Sequence, residues 1–242
     1  MIAVILAAGM AKRLRPLTDA CPKCLLKVGG RTLLERIVDA VVSCGIHDFV
    51  VVTGYRASMI SDFLKEHYRE ETFHFIHNAD YATTNNIYSL WLTRSYADRN
   101  DFILLDSDIL FDSALISRLM NETDTVLAVN RHELGEEEMK VIVDEHHRVT
   151  HISKTCDISQ AMGESVGIEV IRADYSEKLF EEMEHMMNVE HLTDTFYEQS
   201  FERLILKGFS FHAIDTTDLF SMELDTVEDF EQACNKIPEN LL

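Results

Sequence analysis

The chain has 242 residues, 46% of them hydrophobic, and carries 42 Asp and Glu against 22 Lys and Arg, for a formal charge of -20. That length and apolar fraction suffice for a full α/β core, while the acidic balance argues against nucleic acid or an anionic membrane as partner, since both are held chiefly by Lys and Arg. No apolar run approaches the roughly 20 residues that span a bilayer or resembles a signal peptide, and the five scattered cysteines suit reduced thiols, so a cytoplasmic protein is expected.

Ile2–Leu6 reads as a buried strand, Thr32–Cys44 as an amphipathic helix, Asp48–Thr53 as a second strand and Ala57–Tyr68 as a second helix. Thr72–His77 and Phe102–Asp106 continue as strands, with Asn86–Tyr96 and Asp112–Asn121 as helices. This alternation predicts a mostly parallel sheet flanked by helices, with ligands beyond the carboxyl ends of its strands. The second half changes texture: Val126–Asn130, Lys140–Asp144, Val149–Ser153 and Ser165–Val170 are short strand candidates, as expected for a small mixed-sheet extension. Helices are predicted over Tyr175–Val189 and Asp194–Leu206, a late strand over Phe209–Ile214, and a closing helix over Thr226–Lys236.

The first strand empties into Ala7-Ala8-Gly9, followed by Lys12-Arg13-Leu14-Arg15-Pro16-Leu17-Thr18 and Pro22-Lys23. Basic side chains gathered here work against the field of the whole molecule and need an anion to justify them. Small residues let main-chain N–H groups approach a phosphate or a base, so a polyphosphate site is the reading. A dinucleotide-binding loop is disfavoured, because no G-x-G-x-x-G follows the strand and Val51–Thr53 lacks an acid for a ribose; a P-loop motif is absent as well. Asp106-Ser107-Asp108 closes another strand, and side chains two positions apart project to one face and can reach one ion.

Leu6-Ala7-Ala8-Gly9, Arg13–Thr18 and Pro22-Lys23 resemble the nucleoside triphosphate transferases that activate sugar phosphates. Gly54-Tyr55 and Asn85-Asn86-Ile87-Tyr88-Ser89-Leu90 are similar to the branch of small cytidylyltransferases acting on phosphocholine or 2-aminoethylphosphonate, and the resemblance runs from Met1 to about Phe230. It implies a single Rossmann-like nucleotidyltransferase domain over 1–242, its acceptor-side extension at roughly 130–215, with CTP over the first loop and one Mg²⁺ held by Asp108 and Asp225. It also implies that Arg13 and Lys23 hold the triphosphate and offset charge on the transferred phosphorus. Leu6, Ala7, Ala8, Gly9, Lys12, Tyr81, Asn85, Asn86, Ser89 and Asp106 complete the nucleotide side, with Tyr55 a further aromatic wall. One departure is Ala11, where many members have Gly; a positive φ there would strain the loop. Asn85 or Asn86 can equally be a helix cap, and so can Asp225 before the closing helix.

For the acceptor, the resemblance points to Asn86, Lys154, Glu169, Asp194, Tyr197 and Glu198, with Lys154 near the acceptor phosphate. Glu169 also alternates with Val166, Ile168 and Val170 as an ordinary strand position would. A trimethylammonium group favours an aromatic cage, yet the segment Glu136–Lys140, where phosphocholine enzymes carry a cage tryptophan, has none. The expected reaction is therefore transfer of CMP from CTP to a small amine-bearing phosphonate or phosphate, 2-aminoethylphosphonate before phosphocholine. A sugar-1-phosphate nucleotidyltransferase and a non-catalytic nucleotide-sensing protein are the rivals, and the oligomeric state stays open.

Overall fold

The computed structural model describes residues 1–241. Its strands are β1 (Ile2–Ala7), β2 (Lys27–Val28), β3 (Arg31–Thr32), β4 (Asp48–Thr53), β5 (Thr72–His77), β6 (Phe102–Asp106), β7 (Ile109–Phe111), β8 (Val126–Asn130), β9 (Lys140–Val143), β10 (Val149–Ser153), β11 (Gly163–Ile171), β12 (His212–Asp215) and β13 (Ser221–Glu223). The helices are α1 (Leu33–Ser43), α2 (Ala57–His67), α3 (Asn86–Leu92), α4 (Arg94–Ala97), α5 (Ala114–Met120), α6 (Ala173–Asn188), α7 (Glu198–Leu206) and α8 (Val227–Lys236).

A nine-stranded sheet runs β10-β9-β11-β6-β1-β4-β5, with β8 beside β11 and β12 beside β8. Pairing is parallel from β6 through β1 and β4 to β5, and antiparallel where β11 meets β6, β8 and β9. This is the expected α/β Rossmann-like nucleotidyltransferase architecture. Because successive strand residues face opposite ways, the sheet builds two cores: Val4, Leu6, Val50, Val52 and Leu104 pack on one face, and Ala3, Ile5, Phe49, Val51, Ile103 and Leu105 on the other. Leu6 pairs with Asp106, so the ends of β1 and β6 deliver the Ala7–Gly9 loop and Asp106-Ser107-Asp108 to the same edge of the sheet.

Several elements differ from the sequence reading for identifiable reasons. The helix predicted over Asn86–Tyr96 breaks into α3 and α4 at Thr93, whose fully buried hydroxyl donates to the Leu90 carbonyl at 2.7 Å and competes with the helical ladder. The helix predicted from Asp194 starts only at Glu198. The Thr193 carbonyl accepts from the Asn85 N–H, and Asn86 Oδ1 accepts from the Tyr197 N–H, so the segment between them is held as a loop. The late strand begins at His212, with Phe209 exposed. Two small pairings, β2 with β3 and β7 with β13, had no counterpart in the sequence reading. Among the described residues the cysteines are free, and no helix is long and apolar enough to cross a membrane.

Candidate active site

A cleft of about 880 Å³ opens beyond the carboxyl ends of β1 and β6. Leu6, Ala7, Ala8, Gly9, Lys12, Arg13 and Lys23 line one part of it, with Tyr81, Asn85, Asn86 and Ser89 on the adjoining wall. Gly54 lets that wall close in: a Cβ there would stand 2.7 Å from the Ala8 carbonyl oxygen and 2.6 Å from the Tyr81 Cβ. Tyr55 faces away from the role of a wall. Its hydroxyl donates to the carbonyls of Thr18 (2.9 Å) and Asp19 (3.0 Å), tying down the far end of the basic loop. Ala11 takes the left-handed conformation at φ 44°, so the conformational demand anticipated for a glycine exists here and is met by alanine.

β7 and β13 explain how residues far apart in the chain meet. Glu223 pairs with Ile109, and the Leu224 N–H donates to the Asp108 carbonyl at 3.1 Å, which sets Asp108 beside Asp225. Asp225 does not cap α8. Thr226 does so, in a capping box with Asp229, leaving the Asp225 carboxylate free for the cleft. Lys23 Nζ lies 2.8 Å from Asp108 Oδ2 and 2.7 Å from Asp225 Oδ1, and Arg13 engages the other Asp225 oxygen. Burial alone would lower the Lys23 pKa, but the two carboxylates beside it outweigh that and raise it. Burial likewise pulls Asp225 up, yet Lys23 and Arg13 leave it below the ordinary carboxylate range.

Glu223 is the third acid of this group: carboxylate oxygens of Asp108, Glu223 and Asp225 lie within 4.8 Å of one another. Solvent reaches Glu223 through the cleft, but surrounding protein and the charges of Asp108 and Asp225 push its carboxyl up to about 8. An all-oxygen, multiply charged donor set of this kind suits a hard divalent cation such as Mg²⁺. Asp106 departs from the expectation of a shared ion. It turns to the other side, accepting from the Tyr197 hydroxyl at 3.2 Å, and burial with the charges of Asp108, Glu198 and Glu169 raises its pKa well above normal. Gly167, at φ +74°, makes room for it, since a Cβ there would come within 2.9 Å of Asp106 Oδ2.

The other end of the cleft is lined by Lys154, Phe196 and Glu198. Lys154 Nζ sits 4.6 Å above the Phe196 ring centroid. Glu198 is 6% exposed, and its Oε2 has no hydrogen-bond partner among the described residues. Burial raises its pKa to about 7, opposed by its own backbone N–H and by Lys154. Beneath it Glu169 and Tyr197 are fully buried, the Tyr197 hydroxyl lying 3.3 Å from Glu169 Oε1; burial and then Glu198 raise the Glu169 pKa. Asp194 is exposed and does not line the cleft. The sequence reading missed Glu223, although Glu223-Leu224-Asp225 has the same two-residue spacing as Asp106-Ser107-Asp108. It also missed Asn78, whose amide donates to Thr84 and Ser89, and Lys140. Lys140 is 1% exposed and gives its ammonium to the carbonyls of Glu136, Glu138 and Lys154, pinning the rim of the cleft at Lys154; no periodicity marks such a residue.

Comparison with known proteins adds the family. The "Bifunctional IPC transferase and DIPP synthase" of Aquifex aeolicus is 29% identical over 96% of this chain and 50% of its own length. A choline-phosphate cytidylyltransferase of Streptococcus pneumoniae is 34% identical over 51% of this chain and 52% of its own. The chain thus spans about half the length of these curated relatives. The solved structure of CTP:phosphocholine cytidylyltransferase from Streptococcus pneumoniae superposes with a TM-score of 0.80, covering 98% of this chain and 99% of that one at 22% identity, which speaks for the fold. Residues 3–153, well over half of the chain, match the model of the MobA-like NTP transferase domain, and the protein belongs to that family.

Proposed function

We propose that the chain is one nucleotidyltransferase domain that transfers CMP from CTP to a small amine-bearing phosphonate or phosphate, 2-aminoethylphosphonate before phosphocholine, releasing pyrophosphate. The observation that carries this is the division of charge within one cleft. Lys12, Arg13 and Lys23 gather at one end, where three carboxylates also lie, and Lys154 and Glu198, whose Oε2 has no hydrogen-bond partner among the described residues, stand at the other. The first end suits a triphosphate; the second suits a zwitterion whose anionic head meets Lys154 and whose ammonium meets Glu198. The choice of cytidine is supported by the cytidylyltransferase named among its relatives.

In the proposed mechanism an oxygen of the acceptor phosphonate attacks the α-phosphorus of CTP in line, the bond to the β-phosphate oxygen breaks, and pyrophosphate leaves. The attacking oxygen is already anionic, so the protein's task is positioning and charge neutralisation. Main-chain groups of Ala7–Gly9 approach the nucleotide, Asn85, Asn86 and Ser89 offer hydrogen bonds to the base or acceptor, and Arg13 and Lys23 offset charge on the phosphates. Asp108 and Asp225, with Glu223 beside them, would hold Mg²⁺, which supplies further neutralisation of phosphate charge when bound. Purified protein with CTP and Mg²⁺ should release pyrophosphate faster with 2-aminoethylphosphonate than with phosphocholine; release with neither would sink the proposal.

A polyol- or sugar-phosphate acceptor is the second reading, favoured because a carboxyl titrating near 7 can also hydrogen-bond a neutral hydroxyl. Glu198→Gln separates the two: it should preserve use of a hydroxylated acceptor and abolish the preference for an ammonium.

A further inference from the structure

We infer that Lys23 and the metal exclude each other from the Asp108–Asp225 pair, so that this lysine is delivered to the phosphates only as the cation arrives. The inference rests on the metal role proposed for the two aspartates. Lys23 Nζ is within 2.8 Å of an oxygen on each, and Arg13 takes the remaining Asp225 oxygen. Both Asp225 oxygens are therefore taken by cationic side chains, a metal shared by both carboxylates needs one of them, and two positive charges pressed together there would repel strongly.

The local structure lets only the side chain change partners. Lys23 opens a tight turn in which Leu25 N–H donates to the Pro22 carbonyl at 2.9 Å and Leu26 N–H to the Lys23 carbonyl at 3.0 Å, with Cys24 buried in the core beside it. The backbone is fixed by these contacts. The side chain, 10% exposed, lines the cleft, and its ammonium is a point charge that pairs as well with a phosphate oxygen as with a carboxylate. While it sits between Asp108 and Asp225 it relieves their mutual repulsion and holds the pair in register, with Glu223 adjacent.

Two consequences follow. A divalent cation without nucleotide must displace the ammonium with nothing to receive it, so it binds weakly. A cation arriving with a triphosphate finds additional ligands for itself and an anion for Lys23, so each favours the other. Removing the Lys23 charge should therefore strengthen metal binding in the absence of nucleotide, although the same change disables transfer.

The test is Mn²⁺ binding followed by electron paramagnetic resonance, without CTP, on the full chain. Lys23→Met should bind Mn²⁺ about tenfold or more tightly than the wild type, Lys23→Arg should stay near the wild type, and adding Asp108→Asn to Lys23→Met should remove the gain. Lys23→Met binding no tighter than the wild type overturns the inference. Should the Met variant fail to fold, the wild type supplies the second measurement. Acetylation of Lys23 by an N-hydroxysuccinimide ester, read by peptide mass spectrometry, should rise on addition of saturating Mn²⁺ alone; unchanged labelling overturns the exclusion. The metal assignment itself fails by a different result, namely Mn²⁺ binding in the presence of CTP that Asp108→Asn and Asp225→Asn leave intact.

Discussion

At the end of the cleft proposed for the nucleotide, charges stand in opposed pairs at and just inside the mouth: the Arg13 side chain is 62% exposed and Asp225 31%, whereas Lys23, between Asp108 and Asp225, is 10% exposed. At the end proposed for the acceptor, charge rises from the core, with Glu169 and Tyr197 fully buried and Glu198 nearly so. In the first arrangement Lys23 and Arg13 hold Asp225 below the ordinary carboxylate range, while Glu223, with no ion-pair partner among the described residues, is pushed up to about 8. The second buries Glu198 and Glu169 with no cation in hydrogen-bond contact, which raises their pKa values, and of the two only Glu198 lines the cleft. On the proposed function, a large, solvated anion is met by paired charge and a small head group by unpaired buried charge.

The largest expected effect breaks the first end. Asp108→Asn or Asp225→Asn should lower kcat/KM by about a thousandfold or more while leaving the fold intact, since each removes a carboxylate proposed to hold the Mg²⁺ whose charge offsets that of the triphosphate. Steady-state kinetics at saturating and limiting Mg²⁺, with circular dichroism as the control for folding, measures it; near-normal turnover at limiting Mg²⁺ would remove the metal role.

Breaking the second end should cost less and act selectively. Glu198→Gln is expected to lower kcat/KM for 2-aminoethylphosphonate by about 10²-fold, comparable to losing a charge-assisted contact in a buried site, with KM for CTP little changed. Asp194→Asn, on the exposed segment, should change either constant by less than about twofold. Equal effects of the two substitutions would mean that the buried carboxylate is not what meets the acceptor.

This contrast also explains what was legible in the chain before its structure. The Ala7–Gly9 loop, Arg13, Lys23 and Asp108 sit at strand ends or in a contiguous basic run, where sequence order and spatial order coincide. Most strands were readable too, since buried strands are apolar runs, but their order in the sheet was not. Glu198 and Glu169 carried no comparable signal of which of them would be left unpartnered, because that depends on α7 starting at Glu198, and this start depends on Asn85 and Asn86 holding residues 193–197. Glu223 needed the pairing of β7 with β13, each only three residues long. Long-range hydrogen bonds set these positions, and local periodicity does not record them.

Acidity sharpens the comparison. Glu198 is protonated in the folded chain up to about pH 7, well above the ordinary range for a glutamate, because burial opposes its charge. Binding of an ammonium acceptor should therefore improve as pH rises through 7, with acceptor KM falling severalfold, and Glu198→Gln should flatten that part of the profile. Stability runs the opposite way: a group whose folded pKa is raised contributes fully below its unfolded value and loses that contribution as pH rises to about 7. Glu198→Gln should thus be the more stable protein at pH 8, by roughly 1–3 kcal/mol, measurable by urea denaturation. A variant with the wild-type dependence of both KM and stability would show that Glu198 does not titrate in this range.

Lys140 tests whether the acceptor rim is held separately. Its ammonium donates to three carbonyls, among them Lys154 at 2.7 Å. Lys140→Met should raise the acceptor KM about three- to tenfold through displacement of Lys154 and the Glu136–Met139 segment, with CTP binding unaffected. A matching rise in the KM for CTP would show that the two ends are not independently supported.

The smallest effect belongs to Ala11. In the left-handed conformation an alanine costs about 1–2 kcal/mol relative to its preferred regions, and glycine would remove that cost while adding about 0.4–1 kcal/mol of unfolded-state freedom. Ala11→Gly is expected to stabilise the chain by roughly 0–1.6 kcal/mol. Function should hardly respond, because other contacts fix the loop: the Thr18 hydroxyl donates to the Ala11 carbonyl at 2.9 Å, and Tyr55 and Arg56 hold Thr18 and Asp19 from outside. A KM for CTP within about twofold of the wild type is the expected result. A large rise would mean that the alanine Cβ, by denying this residue other conformations, is what keeps Lys12 and Arg13 turned toward the phosphates.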